Sequence, residues 1–250
     1  MLKIRKDQMA VMDQLALKHF EDQTAEELKQ SFPKHARLLG EEKLRQRVRE
    51  GFARARVYGL SSQNGLRLFV ELTFLLGNAF DTDPQVSWAA QILSDSAAEE
   101  ATRVERLYQK TTDYLQNVCG PNGEHIHAAL AKVRGEAPEG FPQSGLGAFQ
   151  DFMLRRFLLL YPEKCRHVGE PALRRLIESG LQPARSYGLV TERGVTLLLA
   201  LMFLLGSGFH QDSQFAFAAK VLADASLTDP NQKAERLKAE ALAYLEQWLA

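Results

Sequence analysis

A long internal repeat constrains the fold of this 250-residue chain more than any other feature. The segment Tyr58-Gly59-Leu60 recurs as Tyr187-Gly188-Leu189, which is a spacing of 129 residues. At the same spacing, Phe74-Leu75-Leu76-Gly77 recurs as Phe203-Leu204-Leu205-Gly206. Solenoid repeats are about 20–50 residues long, whereas this period has the size of a whole domain. The sequence therefore predicts two homologous units, each with its own buried residues.

Apolar residues within each unit recur at helical spacing. Leu44, Val48, Phe52 and Ala55 form one such stripe, as is typical of a surface helix packed on a core. No stretch alternates apolar and polar residues as a half-buried strand does. The sequence predicts an all-α fold of two tandem homologous bundles, each with about five helices.

Polar residues mark the starts of two helices in each unit. Ser62 and Thr191 precede the most apolar helix, and Asp83 and Asp212 precede the next one. Such side chains accept hydrogen bonds from the free amides of a first helical turn. Asp81 beside Asp83 also raises the hypothesis of a cation or acid–base site, but the second unit lacks that carboxylate. Helix capping is therefore the favoured interpretation of Asp83 and Asp212.

A segment rich in proline and glycine separates the two units. We predict a first bundle over residues 1–118, a linker over 119–144 and a second bundle over 145–250. Ile126, Leu130 and Val133 have helical spacing inside the linker, which predicts a short helix there.

Composition excludes several functional classes. The 31 basic and 31 acidic residues give zero net charge, so we expect no binding to nucleic acid. The longest apolar run is far below the roughly 20 residues that span a bilayer, so no membrane insertion is expected. The amino terminus lacks a signal-peptide pattern, which predicts a cytoplasmic protein. Cys119 and Cys165 are expected to be free thiols.

His125 and His127 form the most chemical-looking pair in the linker. Two imidazoles near Glu124 and Cys119 could contribute metal ligands. Residues two apart on a helix face different directions, however, and the spacings of known metal sites are absent. Sequence motifs for phosphate binding, nucleophilic catalysis and dinucleotide binding are also absent. We therefore predict no metal, no cofactor and no catalytic residue.

A cluster of basic residues indicates a surface for a protein partner. The candidate partner-binding residues are Arg45, Arg47, Arg49 and Arg54, on one predicted helix. An acidic partner could dock there, and the alternative is a solvated helix face with scattered ion pairs. Arg56 and its repeat Arg185 could instead bind an anion or pair with a carboxylate inside each bundle.

The residues quoted for the repeat also carry a family resemblance. Tyr58-Gly59-Leu60, Phe74-Leu75-Leu76-Gly77 and Phe80-Asp81-Thr82-Asp83-Pro84 resemble segments of duplicated bacterial helical proteins encoded beside type VI secretion effectors. The match covers both units, although His210 and Gln211 depart from its aspartate-rich end. The resemblance implies a cytoplasmic immunity protein that blocks a toxin, or an adaptor that escorts an effector. It brings no catalytic residues.

Three functional hypotheses remain open at this point. The leading one is a non-enzymatic protein-binding module, an immunity protein or adaptor whose partner is a secreted effector. A second is a small-molecule or anion-binding protein, which would place Arg56 and Arg185 at equivalent cavities. The third is an enzyme with an unrecognised site, which would show converging polar side chains with shifted pKa values in a deep pocket. The sequence does not determine the oligomeric state.

Overall fold

The computed structural model describes residues 6–133 and 145–249, and these residues are helical with no β-strand. The all-α prediction is confirmed for this part of the chain. The helices are α1 (Lys6–Ser31), α2 (Pro33–Leu39), α3 (Glu41–Val57), α4 (Gln63–Leu75), α5 (Ser87–Leu93), α6 (Glu100–Cys119), α7 (Glu124–Val133), α8 (Gly145–Leu160), α9 (Pro162–Val168), α10 (Glu170–Ser186), α11 (Glu192–Leu205), α12 (Ala216–Leu222) and α13 (Pro230–Leu249), with short 3-10 helices at Pro84–Val86, Phe209–Gln211 and Ser213–Phe215. None of these helices combines the length and the apolar content needed to cross a bilayer.

Helix boundaries follow the spacing of the sequence repeat. Helices α3 and α10 begin 129 residues apart and end 129 residues apart. We call residues with this spacing matched positions, and the spacing becomes 130 in α6 and α13. The predicted caps are confirmed, since Ser62 Oγ accepts from Gly65 N at 3.1 Å and Thr191 Oγ1 accepts from Gly194 N at 3.3 Å. We call residues 6–118 the first half and 145–249 the second half.

Buried apolar residues of the two halves form one continuous cluster. Its centre contains α4 and α11, the helices that the sequence predicts as buried rods. Helix α3 approaches α4 closely, because a Cβ on Gly51 would lie 2.7 Å from Val70 Cγ2. At the matched position in α10, a Cβ on Gly180 would lie 2.4 Å from Leu199 Cδ2. A larger residue at either glycine would push two core helices apart.

The backbones of the two halves meet at Gly77 and Gly206. A Cβ on Gly77 would lie 3.2 Å from the carbonyl oxygen of Leu205, and one on Gly206 would lie 3.1 Å from that of Leu76. Both residues have positive φ, 96° and 100°, which glycine adopts without a steric penalty. These matched glycines allow each half to place the turn after its central helix against the other half.

Two buried cations connect the last helix of each half to the carboxyl ends of earlier helices. Arg103 of α6 donates to the carbonyl oxygens of Tyr58 at 2.6 Å and Leu93 at 2.8 Å. Lys233 of α13, its match, donates to the two matched carbonyls at 3.2 and 3.4 Å. Cations stabilise helix carboxyl termini because free carbonyls carry partial negative charge there.

Helix α7 lies in the segment that the sequence predicts as a linker. It contacts α6, α8 and α13, and it therefore lies against both halves. Its Ala129 and Leu130 are buried. Residues 134–144, the remainder of the predicted linker, lie outside the described residues.

Candidate functional site: a cavity between the two halves

A cavity of about 320 Å³ lies between the two halves. Most of its lining consists of residue pairs at matched positions, and the surface is mainly apolar. The pairs are His35 and Lys164, Leu75 and Leu204, Leu76 and Leu205, Gly77 and Gly206, Gln85 and Gln214, Val86 and Phe215, Tyr114 and Tyr244, and Leu115 and Leu245. Helix α7 contributes Ile126, His127 and Leu130 to one wall. The volume lies within the range of roughly 300–1,000 Å³ that is usual for ligand sites.

Asp212 begins the 3-10 helix Ser213–Phe215 and connects the halves at one end of this region. Its Oδ1 accepts from Gln214 N at 2.8 Å, which confirms the predicted cap. Its Oδ2 accepts from the backbone amide of Asn78, in the first half, at 2.9 Å. Arg47 of α3 donates to both carboxylate oxygens, at 2.5 and 3.2 Å. Asp212 is therefore held by a fully buried, bidentate arginine.

Asp83 occupies the matched place at the start of Pro84–Val86. Its Oδ1 accepts from Gln85 N at 2.8 Å, so the predicted cap is again confirmed. Its Oδ2 accepts from the backbone amide of Ser207, in the second half, at 2.7 Å. The match of Arg47 is Leu176, which is fully buried and offers no charge. Asp83 thus keeps the same backbone donors as Asp212 without an arginine.

The cation near Asp83 comes from a different helix. Lys164 of α9 lies 5.2 Å from the centre of the Phe203 ring, while Arg47 lies 4.7 Å from that of the matched Phe74. Lys164 Nζ donates to the carbonyl oxygen of Phe203 at 2.5 Å. No carboxylate of the described residues lies within ion-pair distance of Lys164. The two halves therefore put a cation over the same ring from different helices.

Burial changes the ionisation of Lys164. Loss of solvent around the ammonium group lowers its pKa from 10.5 to about 8, and the nearby negative charge of Asp83 offsets part of that effect. The side chain is only 6% exposed. An ammonium group has three N–H donors, and one of them is used by Phe203. Lys164 therefore brings a positive charge with unused donors to the wall of an apolar cavity.

Two glutamines at matched positions line the cavity as well. Gln85 Nε2 donates to Met202 O at 3.0 Å, and Gln214 Nε2 donates to Thr73 O at 3.3 Å, so each reaches the opposite half. These carbonyl acceptors fix the orientation of both amides, because flipping them would oppose two oxygens. Oε1 of each glutamine is buried without a partner among the described residues.

The remaining titratable groups of the lining are kept neutral by burial. Loss of solvent lowers the pKa of His35 to about 4, and the nearby positive charge of Arg47 lowers it further. Burial raises the pKa of the Cys119 thiol and raises that of the Tyr114 hydroxyl well above its usual value. At neutral pH these three groups therefore carry no charge into the cavity.

The four arginines predicted to bind a partner have different environments. Arg47 is 3% exposed and is used inside the protein, so its guanidinium offers no surface to a partner. Arg45 contacts Asp22 and Glu41, and Arg54 donates to Asp81 at 2.6 Å. Of the four, Arg49 alone is exposed. The basic character of α3 is therefore largely compensated within the chain, because carboxylates from other elements lie beside its arginines.

The other sequence candidates lie away from the cavity or at its edge. His125 Nδ1 lies 3.2 Å from Val118 O, whereas His127 is exposed and lines the cavity. Among the described residues, no group of three histidines, cysteines or acids is placed to hold a metal. Arg56 and Arg185 are exposed, and Asp212 and Asp95 pair with other arginines, Arg47 and Arg106. The anion site predicted at Arg56 and Arg185 therefore does not coincide with the cavity.

Sequence reasoning missed Lys164, Gln85 and Gln214. One signal was present, since the two glutamines match in the repeat as Pro84-Gln85 and Ser213-Gln214. Lys164 carried no such signal because its match is a histidine. Comparison with protein-family models, curated proteins and solved structures finds no match to this chain.

Proposed function

We propose that this protein binds a small, mainly apolar molecule in the cavity between its two halves. The observation that carries the proposal is the cavity itself, with about 320 Å³ of space and a lining supplied by both halves and by α7. Binding sites of this size are usually apolar with a few polar groups that orient the ligand. Lys164, Gln85 and Gln214 are such groups here.

The buried glutamines support this proposal energetically. A buried acceptor without a hydrogen bond costs about 1–3 kcal/mol. Gln85 and Gln214 each have such an oxygen, and both residues belong to the cavity wall. A ligand with hydrogen-bond donors would recover part of this cost. Native folds retain few unsatisfied buried groups, and those that remain call for a functional or structural reason.

A neutral fluorescent probe tests the proposal directly. N-phenyl-1-naphthylamine becomes bright in apolar surroundings, and we expect saturable binding to the wild-type protein with one site per chain. The variant Leu205→Trp fills part of the cavity, and we expect at least about tenfold weaker binding because overpacking costs more than about 1 kcal/mol.

The matched control is Leu159→Trp. Leu159 is 68% exposed and lies outside the cavity lining, so binding should stay within about twofold of wild type. Equal binding by Leu205→Trp, Leu159→Trp and wild type would place the probe elsewhere and would contradict the proposal.

We also infer that the two halves are homologous bundles joined through residues 119–144. The matched bounds of α3 and α10, the paired caps and the paired cations of α6 and α13 support this. An experimental structure in which the Cα atoms of α2–α6 and α9–α13 fail to superimpose would contradict it.

The role as immunity protein or adaptor for a type VI secretion effector stays a prediction that rests on the sequence resemblance. One structural observation is compatible with a protein partner: Met9, Met12 and Leu15 of α1 are each more than half exposed and recur at helical spacing. Exposed apolar patches often mark protein contacts. Purification of the tagged protein with the effector encoded beside it, at near-equal amounts, would support the role. Recovery without that effector would oppose it.

A further inference from the structure

We propose that the cavity selects ligands carrying a carboxylate, and that the ammonium group of Lys164 is the anchor for it. This inference rests on the proposed small-molecule function and names the chemical class of ligand. The expected ligand has an apolar body that contacts the leucine-rich lining and one carboxylate that reaches Lys164.

The first argument is the geometry of Lys164. The side chain lines the cavity, is buried, and makes one hydrogen bond, to Phe203 O. Two further N–H groups of the ammonium remain for an acceptor. Hydrogen bonds between a cation and a carboxylate are about twice as strong as neutral ones, so a carboxylate is the acceptor that this position favours most.

The second argument is the contrast with Arg47. At the matched carboxylate, Asp212, the arginine donates to both oxygens, so anion and cation satisfy each other. Lys164 reaches no carboxylate at that range, and Asp83 is already bonded by the amides of Gln85 and Ser207. The charge of Lys164 is therefore available to a ligand, whereas that of Arg47 is not.

The third argument concerns the other groups around Lys164. Asp83 is the nearby carboxylate, and the neighbouring thiols and hydroxyls are Cys119, Cys165, Tyr114 and Tyr161. Burial raises the pKa of Cys165 to about 12 and also raises that of the other three groups. These four groups are neutral near pH 8, so the ligand carboxylate meets the repulsion of Asp83 alone among them.

Ionisation of Lys164 gives the proposal a pH signature. The pKa of Lys164 is about 8 in the protein because burial disfavours its charge. A carboxylate bound beside the ammonium would raise that pKa again, since opposite charges favour each other's ionised form. By linkage, carboxylate affinity is greatest below pH 8 and falls as the pH rises above it. A neutral ligand of the same shape should show no such decline.

Octanoate and 1-octanol, used as competitors of N-phenyl-1-naphthylamine, test the inference. At pH 6.5 we expect wild type to bind octanoate roughly tenfold tighter than octanol, because a charge-assisted bond replaces a neutral one. In Lys164→Met this preference should vanish while octanol binding stays within about threefold, because methionine retains the apolar stem. Lys164→Arg should keep the preference, and the exposed-lysine control Lys220→Met should behave as wild type.

Each outcome decides between two statements. If octanol and the probe bind but wild type shows no preference for octanoate, or if Lys164→Met keeps that preference, the carboxylate anchor is wrong and the apolar site stands. If neither alcohol, acid nor probe binds, the proposed function itself fails. Should Lys164→Met not fold, the comparison of wild type with Lys164→Arg between pH 6.5 and 9.5 still tests the anchor. Octanoate affinity that is flat across this range in wild type would overturn it.

Discussion

The two matched carboxylates, Asp83 and Asp212, show how equivalent backbone positions acquire different roles. Each begins a 3-10 helix, accepts an amide of the opposite half and lies near a cation over a phenylalanine ring. The cation at Asp212 is Arg47, from α3, and it forms a closed bidentate pair. The cation near Asp83 is Lys164, from α9, and it remains at the cavity wall.

This difference separates a structural pair from a candidate binding group. A bidentate arginine satisfies a carboxylate geometrically and leaves little for a third partner. A lysine is a compact charge with three donors, and its pKa shifts readily when it is buried. The half that contributes Lys164 has leucine at the arginine position, so one charge has been replaced by another at a different place along the chain.

Removal of Arg47 should break the comparison most strongly. In Arg47→Met, Asp212 stays buried and loses its cation, so we expect the free energy of unfolding to fall by about 3–5 kcal/mol. Lys164→Met removes a cation with no ion pair, and a loss of at most about 1 kcal/mol is expected. Urea denaturation followed by circular dichroism measures both. Arg49→Met, on the exposed face of α3, is the control and should stay within about 0.5 kcal/mol. Equal losses in Arg47→Met and Lys164→Met would contradict the distinction.

The matched cations of α6 and α13 offer a second comparison. Arg103→Met should cost about 2–3 kcal/mol and Lys233→Met about 1–2 kcal/mol, because each leaves buried helix-terminal carbonyls unpaired. The arginine makes the shorter bonds, so its loss should be larger. Thermal unfolding of both variants beside the exposed control Lys220→Met tests the order. A reversed order would show that bond length does not control these energies.

The matched pair His35 and Lys164 should produce the smallest effects, in separate pH windows. Both pKa values are lowered by burial, from 6.5 to about 4 and from 10.5 to about 8. In each case the unfolded chain takes up the proton first, so stability falls as the pH falls through the window. Relative to Lys164→Met, wild type should therefore gain stability from pH 8 to 10, by roughly 1 kcal/mol.

Relative to His35→Gln, wild type should lose stability from pH 6.5 down to pH 4. Urea denaturation across both ranges, with the variant as reference at each pH, removes the contribution of all other groups. A difference curve without a slope in its window would mean that the side chain keeps its ordinary pKa in the folded protein.

The sequence predicted the helices because their signals are local. The apolar stripe of α3, the caps Ser62 and Asp83 and the glycine after Tyr58 each act within a few residues, so spacing alone revealed them. The repeat supplied the matched positions for the same reason, since it needs no knowledge of contacts.

The sequence alone thus determined the helical class, the helix ends and the 129-residue correspondence between the halves. The tertiary structure decided which cation meets which carboxylate, because Arg47 and Asp212 are 165 residues apart and their pairing depends on how the two halves pack. It also decided that Lys164 lies in a cavity wall, since a cavity exists only between packed elements. Local patterns set the backbone, whereas long-range packing sets the electrostatic environment of each side chain.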